Sequence, residues 1–167
     1  MKVAILTVSD SAAAGERSDL SGPLLHKLVA EWGGAVVRAD VVPDDRDAIA
    51  AWLARAADDY RVDLALTSGG TGLAPRDVTP EATLEVIDRQ VPGIAEAIRA
   101  AGMRKTPRAM LSRSLSGLRG RTLIINLSGS PRAVAEQWIA VAPVLEHAVA
   151  TVRGEGHHPD TDAERHE

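Results

Sequence analysis

The stretch DLALTSGGTGLAPRDVTPEA, residues 63–82, passes from a short apolar run through a glycine-rich turn to a helix start. Asp63–Thr67 reads as a strand, and Ser68-Gly69-Gly70-Thr71-Gly72 as the loop leaving its carboxyl end. Thr79-Pro80-Glu81 has the composition of a helix N-terminus: Thr79 as the cap, proline at the first helical position, and a carboxylate facing the positive end of the dipole. A strand that opens through such a loop into a helix is the unit of a parallel α/β sheet.

The same grammar extends in both directions. Val3–Val8 is a continuous apolar run, as a strand buried on both faces would be. Leu24, Leu25, Leu28, Val29 and Trp32 recur at helical spacing before Gly33-Gly34. Ala35–Val42 reads as a second strand, punctuated by Pro43 and Asp44, and Ile49, Trp52, Leu53 and Ala56 form the next helical stripe. Beyond the central stretch, Pro92 opens a helix carrying Ile94, Ala95, Ile98 and Ala101, with Gly102 as its stop. Thr122–Leu127 is the strongest strand of the second half. Ser128-Gly129-Ser130-Pro131 follows, with Ser130 as cap to a last helix that shows Val134, Trp138, Val141, Ala142, Leu145 and Val149 on one side. Pro143 within that helix predicts a kink. The alternation implies a three-layer α/β/α domain with a mostly parallel sheet over residues 1–152, followed by a polar acidic tail at 153–167.

Composition narrows the chemistry. The chain has 167 residues, 45% of them hydrophobic, with no Phe and three Trp, so the core is aliphatic. It has no Cys, which rules out disulfides, thiolate nucleophiles and Cys-ligated metals. The apolar run at the N-terminus is too short for a secretory signal, and none approaches the roughly 20 residues that span a bilayer. A soluble cytoplasmic protein without membrane or nucleic-acid partners is the expectation, since the net charge is −4. Charge is nevertheless uneven. Arg99, Arg104, Lys105, Arg108, Arg113, Arg119 and Arg121 fall in one acid-free run, which is either a solvated basic face or a site for a small polyanion.

Ligands of open α/β sheets bind beyond the carboxyl ends of the strands. There the chain places Thr7–Ser11, Pro43–Asp45, Ser68–Gly72 and Ser128–Pro131. The glycines at 69, 70 and 72 would let backbone N–H groups approach an anion, or they simply make a tight turn. No Walker A lysine follows, and the pattern is not G-x-G-x-x-G. Arg76-Asp77 offers a cation for phosphate beside a carboxylate for Mg²⁺, or a local salt bridge. Asp44 is either a helix cap or a site acid. Asp10 and Asp19 bracket a long small-residue loop that reads as a ligand lid. None of the histidines sits in a catalytic or zinc-binding pattern.

The string Ser68–Ala82 resembles the signature of the molybdopterin-binding, MogA-like family, which includes the molybdopterin adenylyltransferases and the gephyrin G domain. Thr7-Val8-Ser9-Asp10 with Gly15, Ser21-Gly22-Pro23 and Val42-Pro43-Asp44 resemble its earlier motifs. Leu111-Ser112-Arg113-Ser114, Thr122–Asn126 and Gly129–Val134 resemble its later ones. The match covers about residues 1–150 and departs at Ser128, where the family often has proline.

The resemblance implies a homotrimer that transfers the adenylyl group of ATP to molybdopterin with Mg²⁺, releasing pyrophosphate. It implies Asp44 and Asp77 as catalytic or metal-binding acids, and Gly69, Gly70, Thr71 and Gly72 as the lining of a pterin-phosphate pocket. Ser9, Asp10, Arg76, Ser114, Ser130 and Pro131 complete the implied substrate-binding set. Contact with other cofactor-biosynthesis proteins is a further expectation. The alternatives are a non-catalytic, MoaB-like pterin-binding protein and a trimeric scaffold. Retention of Arg76 and Asp77 favours the enzyme.

Overall fold

The computed structural model describes residues 1–155. The expected tail therefore lies almost wholly outside the described residues. Six strands form one sheet: β1 (Lys2–Val8), β2 (Ala35–Val42), β3 (Leu64–Ser68), β4 (Arg89–Gln90), β5 (Ser116–Arg119) and β6 (Thr122–Leu127). Their spatial order is β2-β1-β3-β6-β5-β4. The pairs β1–β2, β1–β3 and β3–β6 are parallel, whereas β5 joins β6 and β4 antiparallel. The helices are α1 (Asp10–Ala13), α2 (Ser21–Glu31), α3 (Arg46–Asp58), α4 (Thr79–Val86), α5 (Pro92–Met103) and α6 (Pro131–Arg153).

Side-chain alternation along the central strands builds a core on each face of the sheet. Val3, Ile5, Leu64, Leu66, Leu123, Ile125 and Leu127 face α2, α5 and α6. Ala4, Leu6, Val8, Ala65 and Ile124 face α3 and α4, where the two alanines leave room for Trp52 and Leu53. On the first face Trp138 of α6 meets Trp32 edge-to-face, with ring centroids 5.8 Å apart. Trp138→Ala is expected to cost about 3–5 kcal/mol through lost burial and the cavity left behind. Urea denaturation followed by far-UV circular dichroism measures it, and a loss below 1 kcal/mol (roughly an exposed residue's effect) would contradict the packing.

Several expectations change. The short strands β4, at the edge, and β5, beside it, carry no apolar alternation long enough to read, so the antiparallel end of the sheet is a finding of the structure. Val78, not Thr79, is the N-cap of α4. The Thr79 hydroxyl instead donates to the Gly69 carbonyl at 2.9 Å. Gly102 does not stop α5 but lies inside it, where a Cβ would stand 2.7 Å from that of Ala109 in the 3₁₀ turn Pro107–Leu111. Ser130 occupies the N-cap position of α6 without a side-chain hydrogen bond. α6 runs through Pro143 without interruption. The proline removes the bond to the carbonyl of Ile139, a residue whose side chain is exposed to solvent.

The seven cations of residues 99–121 do not form one surface. Arg119 forks onto Asp58, and Arg121 donates to the Arg153 carbonyl. Arg99 and Arg108 instead line a cavity at the carboxyl end of the sheet. Among the described residues no helix is long and apolar enough to cross a membrane.

Candidate functional site

The chain crosses from one side of β1 to the other between β2 and β3, and the carboxyl ends of β1 and β3 open a crevice there. Backbone bonds carry the pairing past the strand ends: the Ser9 N–H donates to Val42 O, and the Gly69 N–H to Leu127 O. The crevice has two lobes. The first, of about 390 Å³, is lined by Thr7–Ser9, Arg17–Ser21, Asp44, Ser68–Gly72, Asp77, Gly129 and Pro131. The second, of about 520 Å³, lies between α5, the 3₁₀ turn and α6, and is lined by residues that include Leu73, Ile98, Arg99, Arg108, Leu111, Ser130 and Ala133. Thr71, Gly72 and Gly129 line both lobes and form the seam between them.

The glycine loop is shaped for an anion. Gly69 and Gly70 have φ of +109° and +64°. A Cβ on Gly69 would sit 2.2 Å from the Val8 carbonyl oxygen, and one on Gly70 2.3 Å from Thr79 Oγ1. The backbone therefore approaches both neighbours as only glycine permits. Among the described residues the N–H groups of Gly70, Thr71, Gly72 and Leu73 donate to no protein acceptor. Successive free N–H groups in such a turn make a concave anion site.

A buried chain of hydrogen bonds supports the loop from below. Asn126 Nδ2 donates to Thr67 Oγ1 and Thr83 Oγ1, at 3.0 and 2.9 Å. Thr83 Oγ1 donates to Thr79 O, and Thr79 Oγ1 to Gly69 O. Ser128, at the point of departure from the family pattern, has its own fixation. Its N–H donates to Gln137 Oε1 at 2.9 Å, and Gln137 Nε2 donates to its hydroxyl at 2.7 Å. Proline could not make the first of these bonds.

Asp44 and Asp77 both line the first lobe, on either side of the glycine loop. Asp45, not Asp44, caps α3, accepting the Ala48 N–H at 2.8 Å. Asp44 instead accepts the Asp10 N–H, while Asp10 accepts the Asp44 N–H, both at 3.0 Å. Burial pushes the Asp44 carboxyl above the ordinary carboxylate range, and the charges of Asp10 and Asp77 add to this, against the Asp10 N–H and Arg76. Asp10 moves the other way: the Arg76 fork, followed by the Asp44 N–H, holds it below the usual range. Asp77 Oδ2 accepts the Ala74 N–H at 2.9 Å, closing its own loop.

Of the three acids lining this lobe, Asp19 is held by Thr7, Ser21 and Gly22, while Asp44 and Asp77, the first raised partly by the second, suit a divalent cation that takes its remaining ligands from water and phosphate, as Mg²⁺ does. Among the described residues no group of three or more His, Cys, Asp or Glu converges to hold a metal alone.

The other sequence-derived candidates separate. Ser9 lines the first lobe and caps α1, accepting the Ala12 N–H. Gly69, Gly70, Thr71, Gly72 and Pro131 line the same lobe, and Ser130 lines the second. Arg76 does not line either lobe; it grips Asp10 through two bonds of 2.9 and 2.6 Å at an exposed position. Asp10 is drawn into that pair and likewise lies outside the lining. Ser114 is buried beneath the second lobe, within hydrogen-bond distance of Ser112 and with its carbonyl bonded by Arg99.

The 9–21 loop is anchored at both ends. It starts as α1 and ends at Asp19, which accepts bonds from the Thr7 hydroxyl, Ser21 N–H and Gly22 N–H. Asp19 faces the first lobe, a role the sequence had not assigned. Its signal was the Asp-x-Ser-Gly start of α2, which is a capping pattern.

Known proteins share this chain's sequence and fold. Residues 4–147 match the family described as "Probable molybdopterin binding domain". A molybdopterin adenylyltransferase of Helicobacter pylori (strain J99) is 38% identical over 154 residues, covering 91% of this chain and 88% of that protein. That of Escherichia coli (strain K12) is 35% identical over 142 residues, covering 81% of this chain and 71% of its own length. The crystal structure of the molybdopterin biosynthesis enzyme MoaB from Thermus thermophilus superposes with a TM-score of 0.87 at 51% identity, covering 92% of this chain and 96% of that one.

Proposed function

The chain belongs to the molybdopterin-binding family, and from that premise we propose that it is a molybdopterin adenylyltransferase of molybdenum cofactor biosynthesis. The reaction joins molybdopterin to the adenylyl group of ATP. A terminal phosphate oxygen of molybdopterin bonds to the α-phosphorus, the α–β bridging bond breaks, and pyrophosphate leaves with its electron pair. The observation that carries this reading is the meeting of two lobes at one glycine seam beside two carboxylates.

The first lobe takes the nucleotide, with Ser9 and the Arg17–Ser21 segment around its base and ribose. The second takes the pterin against Leu73, Ile98 and Leu111, with Arg99 and Arg108 near its anionic end. Both phosphates then converge on Thr71 and Gly72, whose N–H groups orient them without desolvating a side chain. Asp44 and Asp77 would hold Mg²⁺, which offsets the repulsion of two polyanions and the charge developing on the α-phosphate. The nucleophile is already ionised near pH 7, so no strong general base is needed, in keeping with a lining that has no histidine among the described residues. The protein works as a homotrimer in the cytoplasm. The binding-only alternative is less favoured, because the chain retains Asp77 and the lobe around it.

Incubation with molybdopterin, ATP and Mg²⁺ is expected to release one pyrophosphate for each adenylated pterin formed. Omission of Mg²⁺ is expected to stop the reaction, and GTP to substitute poorly. Pterin binding by the folded protein without pyrophosphate release under any of these conditions would overturn the assignment.

A further inference from the structure

Arg113 belongs to the basic run that the sequence left as either a solvated face or a polyanion site, and it does not line either lobe. Its bonds go to the back of the site loop. Its own N–H donates to Thr71 O at 2.9 Å, Nε donates to Gly72 O at 2.7 Å, and Nη2 donates to Asp77 O at 2.5 Å. Nη1 is bonded to Glu81 in the first turn of α4. Burial disfavours the Glu81 carboxylate, but the Arg113 hydrogen bond, its own backbone N–H and the charges of Arg113 and Arg46 together hold the group below its ordinary range. One residue thus gathers three carbonyls from a loop of few residues and ties them to a helix.

A trans peptide directs its C=O and the following N–H to opposite sides. Grip on Thr71 O and Gly72 O therefore turns the N–H groups of Gly72 and Leu73 away from Arg113, and these are among the unpartnered donors of the loop. Grip on Asp77 O sets the backbone from which the Asp77 carboxylate reaches the first lobe. Among the described residues no other cation of the 99–121 run bonds this loop. A lysine has one compact donor centre where the guanidinium spreads five N–H groups over a plane, so it cannot reproduce this set.

We propose that Arg113 is a positioning residue that presets the Thr71–Asp77 loop, aiming its N–H groups and the Asp77 carboxylate before substrate arrives. The proposal rests on the assignment of that loop to phosphate handling, and its first test is independent of that assignment.

Amide hydrogen exchange is measured on the full-length protein without ligand, for wild type, Arg113→Ala, Arg113→Lys and Glu81→Gln. Exchange of the hydrogen-bonded amides at positions 74, 77 and 113 is expected to rise by about tenfold or more in Arg113→Ala while β6 amides stay protected. Arg113→Lys and Glu81→Gln should give smaller rises at the same positions. If Arg113→Ala does not fold, these two variants decide the question. An unchanged loop, or an equal rise across the sheet, would overturn the proposal.

The second test is turnover. In Arg113→Ala, kcat for pyrophosphate release should fall by about 100-fold, with a smaller change in KM for ATP. Full kcat per folded molecule would overturn the positioning role. Absence of turnover in wild type would count against the adenylyltransferase reading and leave the exchange result to judge Arg113.

Discussion

Asp77→Asn is expected to lower adenylyl transfer by at least about 100-fold while leaving pterin binding within a few fold. The substitution is nearly isosteric. The amide oxygen can still accept the Ala74 N–H, so the loop closure made by the carboxylate is retained. What disappears is one negative charge from the pair that flanks the glycine loop, whose other member, Asp44, is already pushed toward its neutral form by burial and by its neighbours. A single carboxylate is a weak site for a hard dication that competes with its own hydration shell. Initial rates of pyrophosphate release across a Mg²⁺ titration, with fluorescence titration of the pterin, make the measurement. Turnover close to wild type at all Mg²⁺ concentrations would show that Asp77 is not a metal-binding acid. Loss of pterin affinity alongside turnover would place it in the pterin lobe instead.

Gly70→Ala is expected to abolish detectable turnover and to lower stability by about 2–4 kcal/mol, from a left-handed backbone bearing a side chain and a lost buried hydrogen bond. Gly70 has φ of +64°, and the added methyl would lie 2.3 Å from Thr79 Oγ1 and 3.1 Å from Asp44 Oδ1. Thr79 is fully buried and cannot swing into solvent. Relief requires breaking its bond to Gly69 O, which releases the loop from the Asn126–Thr83 network below. Gly15 provides the comparison. Its φ is also positive, at +73°, but among the described residues no atom lies within 4 Å of the place a methyl would take. Gly15→Ala should therefore cost only the conformational term, about 1 kcal/mol, with turnover nearly unchanged. Thermal melts and pyrophosphate assays on both variants separate steric from conformational effects. An active Gly70→Ala would show that the loop does not need its present path.

The contrast between these two glycines illustrates what is legible in the sequence and what is not. Local sequence marks Gly70 as part of a three-glycine turn and Gly15 as a lone glycine, but it does not say how tightly either is packed. Gly70 is constrained by Thr79 and Asp44, which come from other segments and meet it only in the folded chain. The central strands and their helices were readable because buried parallel strands and amphipathic helices leave long periodic signals. The convergence of the Ser9, Asp44, Gly69–Gly72 and Pro131 segments followed from the rule that ligands gather at the carboxyl ends of such strands. The family motif supplied the chemistry that periodicity cannot.

Short or edge elements left too little pattern. The two residues of β4 and four of β5 cannot display alternation, so the antiparallel end of the sheet was silent. Capping at Thr79 was misread, and at Asp44 left open, for a related reason. Asp44 and Asp45 have the same local propensity, and Thr79 is a standard cap type. Tertiary neighbours choose which carboxylate faces Ala48 and send the Thr79 hydroxyl to Gly69.

By itself, then, the sequence determined the layered α/β architecture, the polar loops that meet at one edge, and the family to which they belong. These properties are carried by repeated spacing and by a long contiguous motif. Tertiary structure alone decided the use of each charge. It set Arg76 on Asp10, Arg119 on Asp58 and Arg113 behind the glycine loop, and left Arg99 and Arg108 to the second lobe. A charged side chain has little local preference for its partner, and its energy depends on which groups the folding of distant segments brings within hydrogen-bond reach.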